Sequence, residues 1–96
     1  MRVIAGDLKG QKLISPVKAN VRPTSDKVKG AIFNMISGAA EGAFALDLFA
    51  GSGNLGIEAI SRGAAHCVFC DRDSDSIAVI SKNLRKMNIK SGKIGR

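Results

Sequence analysis

Residues 44–56 read Phe44-Ala45-Leu46-Asp47-Leu48-Phe49-Ala50-Gly51-Ser52-Gly53-Asn54-Leu55-Gly56, and this stretch decides the fold. Its first six residues form a continuous apolar run broken by one acid. Such a run suits a central parallel strand buried on both faces. Ala50-Gly51-Ser52-Gly53 is a glycine turn, and Asn54–Arg62 predicts a helix that Gly63 stops. A second buried strand is expected over Cys67–Asp71. Asp73 or Ser74 then caps a third helix whose apolar stripe is Ile77, Ile80, Leu84 and Met87. Its last turn holds Arg85 and Lys86, where the helix dipole favours cations. The order strand, glycine turn, helix, strand, helix means an α/β fold with parallel pairing and a right-handed crossover.

Upstream, Arg2–Ala5 and Gln11–Ile14 predict two short strands joined by Gly6-Asp7-Leu8-Lys9-Gly10. Pro16 and Asn20 mark a loop. Pro23-Thr24-Ser25-Asp26 opens a helix, with Thr24 or Ser25 as its cap. Val28, Ala31, Ile32, Met35 and Ile36 follow the spacing of a core-facing stripe, and Gly38 ends the helix. The tail, Lys90–Arg96, shows no clear element. The expected organisation is a β-hairpin and helix over residues 1–43, then two βα units over 44–96. The chain has 96 residues. A βα unit of a parallel sheet takes roughly 25–30 residues, so at most about three fit, fewer than a doubly wound enzyme usually has.

Composition narrows the partners. Lys and Arg number 15 against 8 Asp and Glu, a formal charge of +7. That surplus suits a polyanion. It is segregated: residues 1–29 hold seven basic and two acidic residues, 30–81 two basic and six acidic, and 82–96 six basic and none acidic. With no Trp or Tyr and four Phe, aromatic platforms for stacking bases are poorly supplied. No run approaches the ~20 apolar residues of a membrane span. Arg2 and Asp7 come too early for a signal-peptide core, so a cytoplasmic protein is expected. Cys67 and Cys70 form a C-x-x-C, but a metal site lacks its other ligands, and both read as buried strand thiols.

Gly51-x-Gly53-x-x-Gly56 matches the dinucleotide fingerprint, with a strand before it, a helix after it and Asp71 at the end of the next strand. A carboxylate at Asp71 can accept the two hydroxyls of a ribose. Asp47, four residues before Gly51, would repel a pyrophosphate on the helix N-terminus. An acid there suits an adenosine ligand that carries a cation and no phosphate, and S-adenosylmethionine is such a ligand. A buried acid bonded to nearby backbone amides is a compatible second role for Asp47.

Asp47-Leu48-Phe49-Ala50-Gly51-Ser52-Gly53 resembles the first motif of class I S-adenosylmethionine-dependent methyltransferases, and Val68-Phe69-Cys70-Asp71 resembles their second, acidic one. Met1-Arg2-Val3-Ile4-Ala5-Gly6 and Val21-Arg22-Pro23-Thr24-Ser25-Asp26-Lys27-Val28-Lys29 resemble the N-terminus of the RsmD-like family of bacterial 16S rRNA guanine-N2 methyltransferases. Leu55-Gly56-Ile57-Glu58-Ala59 and Ser61-Arg62-Gly63-Ala64 continue the likeness, which runs to about residue 88. The resemblance implies a partial Rossmann-like methyltransferase sheet preceded by the hairpin and helix. It implies that Asp47, Gly51 and Gly53 form the cofactor loop, that Phe49, Ala50 and Ser52 add backbone contacts, and that Asp71 holds the ribose. Arg22 and Thr24 fall at the mouth of the family's site. Arg2, Lys9, Lys12, Lys18 and Arg22 become candidates for the RNA backbone.

The family's catalytic motif, Asn/Asp-Pro-Pro-Tyr/Phe, is absent, since the prolines are Pro16 and Pro23 alone. The expectation is therefore an N-terminal, cofactor-binding part of an rRNA methyltransferase. It carries no catalytic residue and no metal, is monomeric, and meets 16S rRNA or an assembling small subunit. Two other readings stay open. One is a nicotinamide-dependent oxidoreductase fragment, which Asp47 disfavours. The other is a non-catalytic remnant with weak RNA binding.

Overall fold

The computed structural model describes residues 1–15, 25–36, 38–48 and 50–95. Helix α1 spans Asp26–Ile36, strand β1 Phe44–Leu48, helix α2 Asn54–Ser61, strand β2 His66–Cys70, helix α3 Ser74–Lys86 and strand β3 Gly92–Gly95. The three strands form one parallel sheet in the order β1-β2-β3, with Asp47 opposite Phe69 and Phe69 opposite Ile94. Both crossovers are helical, as the alternation predicts. β3 is an addition to the sequence reading, which expected no element in the tail. Gly92-Lys93-Ile94-Gly95 has little intrinsic strand propensity, and pairing with β2 imposes the conformation.

One face of the sheet is covered. Cys67 and Phe69, both fully buried, pack under Ile57 of α2 and Ile80 and Leu84 of α3, with Ala45 and Ile94 at the margins. The helix over 74–86 keeps the cap and most of the stripe expected of it, with Ile77 only half-buried. Asp73 accepts from the Ser76 N–H at 3.3 Å, and Ile80, Leu84 and Met87 are buried. Gly38, with φ of +54°, follows the end of α1.

Two expectations about burial are overturned. β1 is not a central strand here. It lies at the sheet edge, and Phe44, Leu46 and Leu48 are 84%, 62% and 59% exposed on the face away from the helices. The stripe on α1 does not face a core either, because Val28, Ile32, Met35 and Ile36 are exposed. The inward side of α1 carries Lys29 and Phe33 instead. Lys29 is fully buried because its ammonium meets the Glu58 carboxylate at 3.2 Å and two further acceptors. Phe33 packs with Ala40, Ala59 and Ala64, and the Arg62 guanidinium sits 4.7 Å from its ring centroid.

The N-terminal segment is less regular than two strands. Arg2 and Lys12 form a single antiparallel bridge, extended by Val3 N–H to Gln11 O and Leu13 N–H to Met1 O. The segment shares the main core, where Val3 and Leu13 are buried with Ile57 and Ile80. Glu58 Oε1 and Oε2 accept from the Ile4 and Ala5 N–H groups, and Ser61 Oγ donates to Ala5 O at 2.6 Å. Gly6, at φ +88°, lies against the Ser61 carbonyl so closely that a side chain has no room. Ser25, one of the two expected caps, shows a cap bond: its hydroxyl accepts from the Val28 N–H at 3.2 Å.

Candidate functional site

The parallel register brings the ends of β1 and β2 side by side, which places the turn at 50–53 against the turn at 71–73. The Ala50 N–H reaches Cys70 O at 2.9 Å and the Gly53 N–H reaches Ala50 O at 2.8 Å, so the glycine turn closes on itself and on β2. Gly51 and Gly53 take φ of +60° and +86°, the left-handed region in which glycine carries no steric penalty. Among the described residues nothing lies within 4 Å of the point where a Gly51 side chain would begin, so they leave that side of the turn open to a ligand. Gly53 is buried against Ile57 and Phe69. Gly56 has a different task. A Cβ there would run into the Phe69 ring and come within 2.8 Å of Cys67 Sγ, so this glycine lets α2 lie directly on β2.

Two carboxylates flank the turn. Asp71 Oδ2 accepts from the Gly51 N–H and Oδ1 from the Asp73 N–H, each at 2.9 Å. An ionised carboxylate offers about four acceptor positions, so capacity for hydroxyl donors remains. Asp47 Oδ2 accepts from the Gly56 N–H at 3.1 Å, the structural role open to it from sequence. Its pKa is raised above the ordinary value. Burial is the main cause, opposed by the Gly56 bond and reinforced by the negative charge of Asp71. A half-buried acid made uncomfortable by its neighbour favours a cationic group at the turn and disfavours a phosphate. The residues thus fit an adenosine ligand with an ammonium or sulfonium: one acid for the cation, one for hydroxyls, and an open glycine between them.

Several sequence-predicted residues lie elsewhere or inward. Ser52 is buried, its hydroxyl against Met1 Sδ at 3.5 Å and its carbonyl accepting from Asn83. Ala50 is buried too. Phe49, Lys18, Arg22 and Thr24 lie outside the described residues. Arg2 and Lys9 border one open groove of about 690 Å³ between the hairpin and α1, with Asp26, Lys27 and Asn34. Lys12 is exposed outside that lining, and its carbonyl accepts from Lys86 Nζ. Cys67 is a free buried thiol pushed up to about 11, chiefly by burial, whereas Cys70, also free and expected to be buried, is only half-buried because it lies on the other face of β2. Among the described residues no group of His, Cys, Asp or Glu could hold a metal ion, and no helix is long and apolar enough to cross a membrane.

Sequence reasoning missed three fully buried polar residues behind the turn: Asn83, which donates to the Ser52 carbonyl, Lys29, which donates to Asn54 Oδ1, and Glu58, which pairs with Lys29. One signal was available. Asn83 falls three residues after Ile80 and four before Met87, a polar residue on the apolar stripe of its helix.

A parallel sheet entered through a glycine turn, with Asp47 of β1 and Asp71 just past β2 at that turn, defines a partial Rossmann-like fold of the class I methyltransferase kind. Residues 1–95 match the family described as Conserved hypothetical protein 95, and the chain belongs to it, the RsmD family. The chain is 52% identical over 89 residues to YlbH of Bacillus subtilis, covering 93% of this chain and 48% of that protein. It is 36% identical over 94 residues to ribosomal RNA small subunit methyltransferase D of Escherichia coli, covering 98% and 48%. The solved structure of the Escherichia coli yhhF protein superposes with a TM-score of 0.87 at 34% identity, covering 98% of this chain and 50% of that one. The chain therefore spans about half the length of the relatives it matches.

Proposed function

We propose that this chain is the cofactor-binding half of an rRNA methyltransferase that uses S-adenosylmethionine to methylate the exocyclic N2 of a guanine in 16S rRNA, in the cytoplasm. The observation that carries the reading is the pairing of Asp47 and Asp71 around the open Gly51 turn. Asp71 accepts the ribose hydroxyls, Asp47 faces the cationic amino-acid end, and the Gly51 backbone lies against the ligand. When bound, S-adenosylmethionine supplies an electrophilic methyl group. The chain's own residues bind and orient it. They do not activate the guanine amine, whose lone pair is delocalised into the ring and which needs positioning groups absent from residues 1–96. The relatives' names support rRNA as substrate. A monomer meets that RNA, either free or in an assembling small subunit. Arg2, Lys9 and Lys12 on the hairpin, with Lys18, Arg22 and Thr24 beyond it, take the RNA backbone.

Isothermal titration of the 96-residue chain separates this from the oxidoreductase reading. S-adenosylhomocysteine is expected to bind, and NAD is not. Asp71→Asn is expected to weaken S-adenosylhomocysteine by about tenfold or more, since a charged acceptor of hydroxyls is worth roughly 1.5–3 kcal/mol. NAD binding without S-adenosylhomocysteine binding would overturn the assignment. With labelled cofactor and 16S rRNA the chain alone is expected to leave no methylguanine, and site-specific methylation would count against its being only half of the machinery.

A further inference from the structure

The Ser52–Gly53 peptide follows Gly51 and is flanked on one side by Gly53, whose φ of +86° lies where glycine carries no steric penalty. It is nevertheless held at both ends. The Gly53 N–H donates to Ala50 O at 2.8 Å, within the turn. The Ser52 carbonyl accepts from Asn83 Nδ2 at 2.9 Å, from outside it. Asn83 is fully buried, so no bulk water stands ready to replace that bond. The rest of its carboxamide pairs with Ile14. Oδ1 accepts from the Ile14 N–H at 2.7 Å and Nδ2 donates to Ile14 O at 3.0 Å. One side chain thus joins the end of the N-terminal hairpin to the turn. A second joint lies one residue past the turn, where Lys29 Nζ donates to Arg2 O and to Asn54 Oδ1, both at 2.7 Å.

We propose that Asn83 is a positioning residue for the glycine turn, and that through it residues 1–15 form part of the turn's support. Asn83 touches no reacting group. It fixes the peptide plane whose neighbour, Gly51, faces the ligand. Its relevance to cofactor binding rests on the function proposed above, but its effect on the turn does not.

Amide hydrogen exchange on the ligand-free chain tests this directly. In Asn83→Ala the Gly53 amide is expected to exchange about two- to tenfold faster, relative to the Phe69 amide in β2, as the turn loses the bond to its Ser52 carbonyl. Ile14→Pro deletes the Ile14 N–H at the far end of the link, outside the turn, and a smaller acceleration at Gly53 is expected. Ser61→Ala loosens the hairpin elsewhere, through Ala5 and Leu8, and is expected to leave Gly53 unchanged. An unchanged Gly53 amide in Asn83→Ala, or equal acceleration in Ser61→Ala, overturns the proposal. If Asn83→Ala does not fold, Ile14→Pro decides alone: acceleration at Gly53 supports the link and no change sinks it. Titration with S-adenosylhomocysteine then shows a several-fold loss of affinity in Asn83→Ala and none in Ser61→Ala. Failure of the unsubstituted chain to bind that ligand removes the functional reading and leaves the exchange result standing.

Discussion

Glu58→Ala is expected to cost about 3–5 kcal/mol, enough to unfold much of a small domain, because it strands a buried ammonium. Lys29 Nζ lies 3.2 Å from Glu58 Oε1 with both side chains fully buried. The same carboxylate accepts from Ile4, Ala5 and Arg62, so truncation also leaves the hairpin backbone without its acceptors. Urea denaturation followed by circular dichroism measures the loss, and a cost below about 1 kcal/mol would show that water reaches Lys29. The double change Lys29→Met with Glu58→Leu is expected to recover only part of the loss: no buried unpaired charge remains, but the Ile4 and Ala5 N–H groups still lack their acceptor. Acid probes the same group. Burial alone would raise the Glu58 pKa, but its bonds to Ile4, Arg62, Lys29 and Ala5 outweigh that, and the pKa lies below the ordinary value. The folded state thus holds this proton less tightly than the unfolded one. Its stabilisation is complete above about pH 4.3, the unfolded value, and is lost as pH falls through the lower folded value. Asp47, raised by burial, acts in the opposite sense and offsets part of that loss.

Gly56→Ala is expected to destabilise by about 3 kcal/mol, at the upper end for an overpacked core. Its Cβ has nowhere to go, with the Phe69 ring and Cys67 Sγ already in the space. Relief requires α2 to lift from β2, which pulls the Gly56 N–H from Asp47 and disturbs the turn at the head of the helix. Gly30→Ala is the informative contrast. It is the same chemical change in a helix, but among the described residues nothing lies within 4 Å of the new methyl group. Helix propensity then dominates, and a gain approaching 1 kcal/mol is expected. Thermal unfolding of both variants checks the pair. For a domain of this size each kcal/mol moves Tm by about 4–8 °C, so the two should differ in sign and be well separated. A Gly56→Ala protein with unchanged Tm would mean that the glycine's contact with Phe69 is slack.

Much of the fold was legible because its signals are local. The run at 44–49, the glycine turn, Asp73 as a cap and the stripe ending at Met87 depend on neighbours a few residues away, and each took its expected conformation where described. The acids at 47 and 71 were legible as a pair because parallel pairing after a βαβ crossover leaves few alternatives for where they meet. What misled was burial. Periodicity finds an apolar face without naming what lies against it, and on α1 a buried ion pair fixes the inward side at Lys29 instead. β1 looked central because Phe44, Leu46 and Leu48 are apolar, yet its outer face is bare here. β3 was missed because a strand of Gly, Lys, Ile and Gly is made by its partner and not by its residues. The support behind the turn escaped notice because Ile4–Glu58 and Ile14–Asn83 are contacts between distant parts of the chain.

The one-sided sheet has a thermodynamic consequence. Phe44, Leu46 and Leu48 remain largely in water after folding, so unfolding adds less apolar surface than the same number of residues would in a sheet covered on both sides. Both the denaturant slope and the heat-capacity increment follow that added surface. The chain should therefore melt over a broad range of urea, along a flat stability curve. A substitution that shifts its midpoint far need not have changed its free energy by much.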